Sequence, residues 1–512
     1  MPKASPAVLL LLLILIGAGV GVFVSRKPQA PPQALAPAPV TAPAPAPGTS
    51  PLAALSVTAD AVPQGQPEDA AAQIRLLEGQ VEYLQGQVNA LHDENAKLLY
   101  KLGTLGMKGV PQVDPGPPDD DPPDFVGMGI ELMKFRKIQS LPVPATDVSL
   151  AEVERAILAW MRKQQPDDGG PRFALALTAL GVIDKPVDPL PLRAAVWARQ
   201  LGGWYDQGSG TLLVTKTAAA SDRPPADRPL AIAFGQLLRE YGGTLFPDER
   251  ASPLSTDERL ARESLLAGDA GLTRFLFSLQ NPEAAPASDL PAEDPDHPLN
   301  EVQMPVFLKE LALFPFRPGF EFAQALHSAG GFAQLNAAYS RPPQDVAEII
   351  EPGRYLDNSS LPPTRPEFAN VVVAGNAPYW DDSLGRFAIF TALRTYNSDE
   401  DAGQAARGWQ SDRLLAYAAP DHPRDHAVWQ TLWLTPGHGE AFFKAMRNCL
   451  LQRYDVKAAS DSADEVTLQA DGRHIRLLRN RGGQGVRLVE AATEEFATAL
   501  QTTLDSVSKA AP

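Results

Sequence analysis

The chain has 512 residues, with 45 Lys and Arg against 61 Asp and Glu, a formal net charge of −16, 50 prolines and one cysteine. An acidic balance without a basic block excludes nucleic acid as a partner and disfavours charge-driven docking on an anionic lipid surface, since phosphates in either setting would go unneutralised. The lone Cys449 excludes an intramolecular disulfide, so the folded part relies on burial.

Residues 1–27 carry an apolar run from Ala7 to Val24, with Lys3 before it and Arg26 and Lys27 after it. About 18 to 20 apolar residues suffice to cross a bilayer core. No small-x-small site directly follows the run, so the expectation is an uncleaved signal anchor: one transmembrane helix in a bacterial inner membrane, with the remainder extracytoplasmic, in the periplasm or at the cell surface. A cleaved signal peptide is the alternative. No cysteine follows the run, which rules out a lipoprotein. Residues 28–72 are rich in Ala and Pro and too poor in large apolar groups to offset ordering entropy; they predict an extended tether.

Residues 73–103 predict a coiled coil. With Ile74 at position a, the seam reads Ile74, Leu77, Val81, Leu84, Val88, Leu91, Asn95, Leu98 and Leu102. β-Branched residues at three a positions, Leu at each d and a single Asn at a favour a parallel two-stranded coil, in which paired Asn95 side chains fix the register. The expected partner is a second copy of the chain. A single amphipathic helix docked on the folded part is the competing reading.

Residues 104–125 predict an acidic, Pro-rich spacer; their aspartates lack the Gly turn and closing Glu of a loop-type calcium site. Residues 126–455 then predict one large domain, and 456–512 a small sheet with a terminal helix. Ser149 with Glu152 three residues on marks a helix over 149–164. A strand, a Gly-rich turn and a strand follow over 202–216. Helices are expected at 229–241, 257–279, 302–313, 318–329, 401–417 and 438–450. The tail alternates around Asp-Gly and Gly-Gly turns, which predicts a small antiparallel sheet. The class is α+β and helix-dominated.

The order "GGWYDQGSGTLLV", "AIAFGQLLREYGGTLF", "ARESLLAGDAGLTRFLFSL", then "FPFRPGFEFAQALHSAGG" and "GWQSDRLLAY" resembles the exported or surface zinc metallopeptidases of bacteria and archaea, over about 130–450. The resemblance implies a zincin-like fold. In that family a His-Glu-x-x-His helix supplies two zinc ligands and a general base, and a Glu-Gly-Asp-Ala helix the third ligand. On this sequence the first histidine falls at Phe234, the glutamate at Gly235, the second histidine at Leu238 and the third ligand at Ala267, while Gly268, Asp269 and Ala270 persist. A further family histidine falls at Glu351.

Hydrocarbon side chains offer zinc no lone pair. The substitutions instead extend an apolar stripe over Leu230, Phe234, Leu237, Leu238 and Tyr241, which predicts that the former cleft floor is core. No metal, cofactor or catalytic residue is therefore expected. Glu240 and Glu263 read as solvated helix faces, Asp269 as a buried acceptor, Tyr241 as a hydrogen-bond donor, His422 and His426 as surface histidines in a loop, and Cys449 as buried and inert. The expected function is that of an inactive pseudopeptidase, anchored in the membrane, that binds or scaffolds a polypeptide or envelope ligand. The alternatives are an active hydrolase with a relocated site and an envelope spacer without a ligand.

Overall fold

The computed structural model describes residues 125–139, 143–165, 168–215, 228–247, 254–281, 298–358, 371–480 and 482–510. The anchor, the tether and the whole coil seam from Ile74 to Leu102 lie outside these residues. Residues 124–512 fall in one unit by their contacts, so strands and helices on either side of residue 455 belong together.

The chain enters through α1 (Phe125–Arg136) and β1 (Ala145–Val148). At α2 (Leu150–Lys163) the capping signal operates: the Ser149 backbone N–H and hydroxyl donate to Glu152 Oε2 at 2.8 and 2.7 Å. Two helices the sequence did not announce follow, α3 (Gly169–Ala179) and α4 (Pro189–Leu201). The predicted strand pair is β2 (Gly203–Asp206) and β3 (Thr211–Thr215), joined where Asp206 accepts from the Gly208 and Ser209 backbones. Strand β3 sits between β2, antiparallel, and β1, parallel.

Next come α5 (Arg228–Leu245), buried on nearly all sides, and α6 (Thr256–Gln280). Ser255 caps α6, its hydroxyl accepting from Glu258 N at 3.2 Å. Pro305 holds the start of α7 (Val306–Leu313). Helix α8 (Arg317–Ser340) bends where Gly331 adopts φ of 63°. Short helices α9 (Val346–Ile350) and α10 (Pro352–Leu356) close this helical part.

The C-terminal part is built on a seven-stranded antiparallel sheet of order β4-β5-β6-β10-β9-β8-β7. Its strands are β4 (Trp380–Asp382), β5 (Trp409–Tyr417), β6 (His426–Trp433), β7 (Ser460–Asp461), β8 (Glu465–Ala470), β9 (Arg473–Arg479) and β10 (Gly485–Ala491). Alternation sorts its faces. Leu414, Trp429, Leu477 and Leu488 join the main core; Leu415, Val428 and Val489 face Phe496, Leu500 and Leu504 of α14 (Glu494–Ala510). Before and beneath it lie α11 (Gly385–Arg394), α12 (Asp399–Ala406) and α13 (Pro436–Tyr454).

Three expectations need correction. The small tail sheet is the distal half of this larger one, because β10 pairs with β6 as well as β9. The helix expected over 401–417 ends at Ala406; Gly408 takes φ of 68°, and the following alternation of apolar residues makes β5, whose period suits a half-buried strand. The inner-membrane localisation is overturned: among the described residues no helix is long and apolar enough to cross a membrane. The longest, α6 at 25 residues, carries Asp257, Glu258, Arg259, Arg262, Glu263, Asp269 and Arg274. The run over 1–27 lies outside the described residues.

Candidate functional site

Helix α5 is a near-continuous apolar segment, and a helix that is apolar all round must be enclosed. Strands β2 and β3 pack on one side of it and α6 on another. Phe234 and Leu238 are fully buried, and Ala267 on α6 is 3% exposed; all three belong to one core. Phe234 lies among tryptophans, its ring centroid 5.4 Å from that of Trp204 and 6.1 Å from that of Trp197. A Cβ on Gly235 would come 2.3 Å from Leu212 Cδ1, so a glutamate there would collide with β3. Of the expected stripe, Leu237 is also buried, while Leu230 and Tyr241 are half-buried at its ends. Among the described residues no group of three or more His, Cys, Asp and Glu is arranged to hold a metal ion.

The persistent Gly268 and Asp269 have distinct roles. Gly268 lets α6 and α8 touch backbone to backbone: a Cβ there would stand 1.9 Å from the Gly319 carbonyl oxygen, and one on Gly319 2.3 Å from that of Ser264. Asp269 is a buried acceptor, as the sequence suggested. Arg136 Nε and Nη2 donate to its two oxygens at 2.7 Å each, Tyr339 Oη donates at 2.9 Å and Thr273 Oγ1 at 3.1 Å. Burial works against the Arg136 charge, but Asp269 outweighs it and the guanidinium stays above its ordinary value. Tyr241 stacks on Tyr339 with centroids 3.8 Å apart.

Glu240 is exposed, as expected; Glu263 is not, being 1% exposed and paired with Arg193 of α4. A solvated face was the wrong reading because α6 is enclosed on that side as well. Glu351 is half-exposed and pairs with Arg386 and Arg354. His422 is a surface residue, but His426 opens β6 and is 6% exposed. Its Nδ1 accepts from Ala492 N at 3.0 Å and its ring stacks on Phe496 at 3.7 Å. Burial, with Arg473 nearby, lowers its pKa to about 4, so the ring is a neutral packing element. The signal available for this was the apolar run "HAVWQTLW", which His426 begins. Cys449 is buried, its thiol pushed up to about 11 by burial; a thiol so held is a poor nucleophile.

Sequence reasoning missed a second polar knot, where the sheet meets the helical part. Asp412 of β5, fully buried, accepts from Ser383 Oγ, the Leu384 and Gly385 backbones, and the indoles of Trp409 and Trp429. Asp382 accepts from the Thr256 backbone and hydroxyl at 2.8 and 2.7 Å, joining β4 to the start of α6. Asp257 accepts from Val346 N at 3.1 Å. Burial raises the pKa of all three, that of Asp382 to about 6.

The sequence model of a domain of unknown function (DUF8575) matches residues 377–501. That span opens three residues before β4 and runs into α14, enclosing the seven-stranded sheet with α11, α12 and α13. It does not include α5 or α6. No curated protein and no solved structure matches the chain.

Proposed function

We propose that the helical part is a metallopeptidase-like scaffold without catalytic chemistry, a pseudopeptidase that binds or positions a polypeptide, and that the coil seam over 73–103 joins two copies. One observation carries the first half. The positions that the resemblance assigns to zinc ligands are occupied by Phe234, Leu238 and Ala267, closed into the core, and the position of the general base is a glycine pressed against Leu212. Filling that floor with Phe- and Leu-sized groups contributes about 1.5 to 3 kcal/mol per buried side chain, so the arrangement favours stability where the family needs an open cleft.

Elemental analysis of the full chain after exposure to zinc and desalting is expected to find well under one equivalent, with no cleavage of a mixed peptide library. Stoichiometric zinc together with chelator-sensitive cleavage would overturn the reading. For the coil, light scattering should give a dimer mass for the full chain and a monomer mass once 73–103 is deleted; equal masses would remove the self-association.

A further inference from the structure

Helix α8 is broken by backbone conformation and not by crowding. Gly331 takes φ of 63° with ψ of −158°, a region essentially closed to residues that carry a Cβ, yet a Cβ built on it would meet nothing within 4 Å. The break brings together two rings that a continuous helix would hold apart. His327 and Phe332 are five positions apart in sequence, about 140° round an unbroken helix, but their ring centroids lie 4.8 Å from each other. Contact and bend therefore stand or fall together.

The surroundings of that contact are cationic. Phe332 is 9% exposed; the guanidinium carbon of Arg136 on α1 lies 4.6 Å from its centroid, and the Phe135 ring packs at 5.7 Å. His327 is half-buried beside them. The charges acting on its ring are Arg136 and Lys137, at the end of α1, and Asp269 of α6; α5 reaches this corner through Tyr241, stacked on Tyr339. Asp269 already accepts from Arg136, Tyr339 and Thr273. Burial and the two cations hold the His327 pKa below its ordinary 6.5, with Asp269 acting in opposition. A proton on the imidazole would set a second cation against a phenyl ring that Arg136 already covers. The movable part is short. Gly319 pins the N-terminal half of α8 to α6 and Tyr339 ties the far end to Asp269, while Ser328, Ala329 and Gly330 between them face solvent.

We infer that the Gly330–Gly331 break is an acid-released joint: neutral His327 clasps Phe332 and holds residues 328–331 closed, and the imidazolium, repelled by Arg136 and Lys137, lets them open. The closed form is fully favoured above the ordinary histidine pKa and is lost as pH falls through the lowered one. The joint does not depend on the metallopeptidase resemblance. Amide hydrogen exchange of the full chain, read by mass spectrometry at about pH 5 and about pH 7 and corrected for intrinsic rates, tests it. Protection over 328–334 should fall severalfold from the higher pH to the lower, while that over 319–326 stays level. His327→Phe keeps a ring against Phe332 and removes the proton, so its protection over 328–334 should be high at both values; His327→Ala, which lacks the ring, should be low at both. Level protection over 328–334 in the parent, or the same fall in His327→Phe, overturns the joint.

Discussion

Asp269 in the helical part and Asp412 in the sheet part are both fully buried, yet they are held by different means. Asp269 faces a full counter-charge, the two-pronged Arg136, with Tyr339 and Thr273 completing its shell. Asp412 is surrounded only by neutral donors: one hydroxyl, two backbone amides and two indoles. The contrast teaches where each part is vulnerable. An ion pair fails by stranding its partner, whereas a carboxylate held by dipoles fails by taking up a proton.

The largest expected effect tests the first of these. Asp269→Asn strands a buried guanidinium and should cost about 3 to 5 kcal/mol in chemical denaturation, while the double change Arg136→Met with Asp269→Leu should recover most of that. Asp412→Asn should cost about 2 kcal/mol, since its five donors are neutral and polarisable water can reach none of them in the native state. Equal costs for the two single changes would erase the distinction drawn between the parts.

Glycines sharpen the comparison next. Gly268 is needed for space, because its missing Cβ admits the Gly319 carbonyl; Gly268→Ala should force α6 and α8 apart and cost about 3 kcal/mol. Gly472, between β8 and β9, has open space around it but a φ of 70°. Gly472→Ala should cost about 1 kcal/mol through backbone strain alone. If the order of these two midpoint shifts is reversed, the backbone contact at Gly268 is not what closes the helix pair.

These positions also show what could be read in the sequence. Asp471-Gly472 announces its turn locally, and so do the capping residues Ser149 and Ser255, because each acts within a few residues of itself. The enclosure of Phe234, Leu237 and Leu238 was legible for a similar reason, as helical spacing of large apolar groups. The partners of Asp269 and Asp412 were not: Arg136 is 133 residues from the first and Trp429 is 17 from the second, and no periodicity links them. Burial of Glu263 depends on a guanidinium on another helix, and burial of His426 on α14, so a polar residue on a regular element looked solvated until the neighbouring element was in place. The break at Gly408 was visible as a glycine, but two short apolar stretches of different period blurred into one helix across it.

The dipole-held carboxylates carry a pH signature with a definite sign. Asp382 is raised from an ordinary 3.8 to about 6, so between those values the native state holds a proton that the unfolded chain has lost. Its contribution to stability is complete below pH 3.8 and is lost as pH rises through 6, a change of about 3 kcal/mol. His426 acts oppositely. Lowered from 6.5 to about 4, it leaves stability complete above pH 6.5 and diminishing as pH falls toward 4. Denaturant midpoints measured from pH 4 to 7 should therefore rise more steeply with pH in Asp382→Asn and fall with pH in His426→Gln. Profiles parallel to the parent in both variants would mean that neither group is buried as described.

The smallest effect belongs to the place where the two parts are joined. Thr256 lies at the first turn of α6, and its hydroxyl and backbone N–H both donate to Asp382 of β4. Thr256→Val keeps the β-branched shape and the backbone donor while deleting one hydrogen bond to a buried carboxylate, which should cost about 1 kcal/mol. Because that bond favours the charged form of Asp382, its loss should also move the carboxyl's titration to higher pH, extending the falling limb of the stability profile upward. The two readouts separate a local cap from a true joint: a cap defect alone lowers the midpoint equally at every pH, whereas a joint through Asp382 lowers it most above the carboxyl's titration and least below it, where the acid is protonated in both proteins.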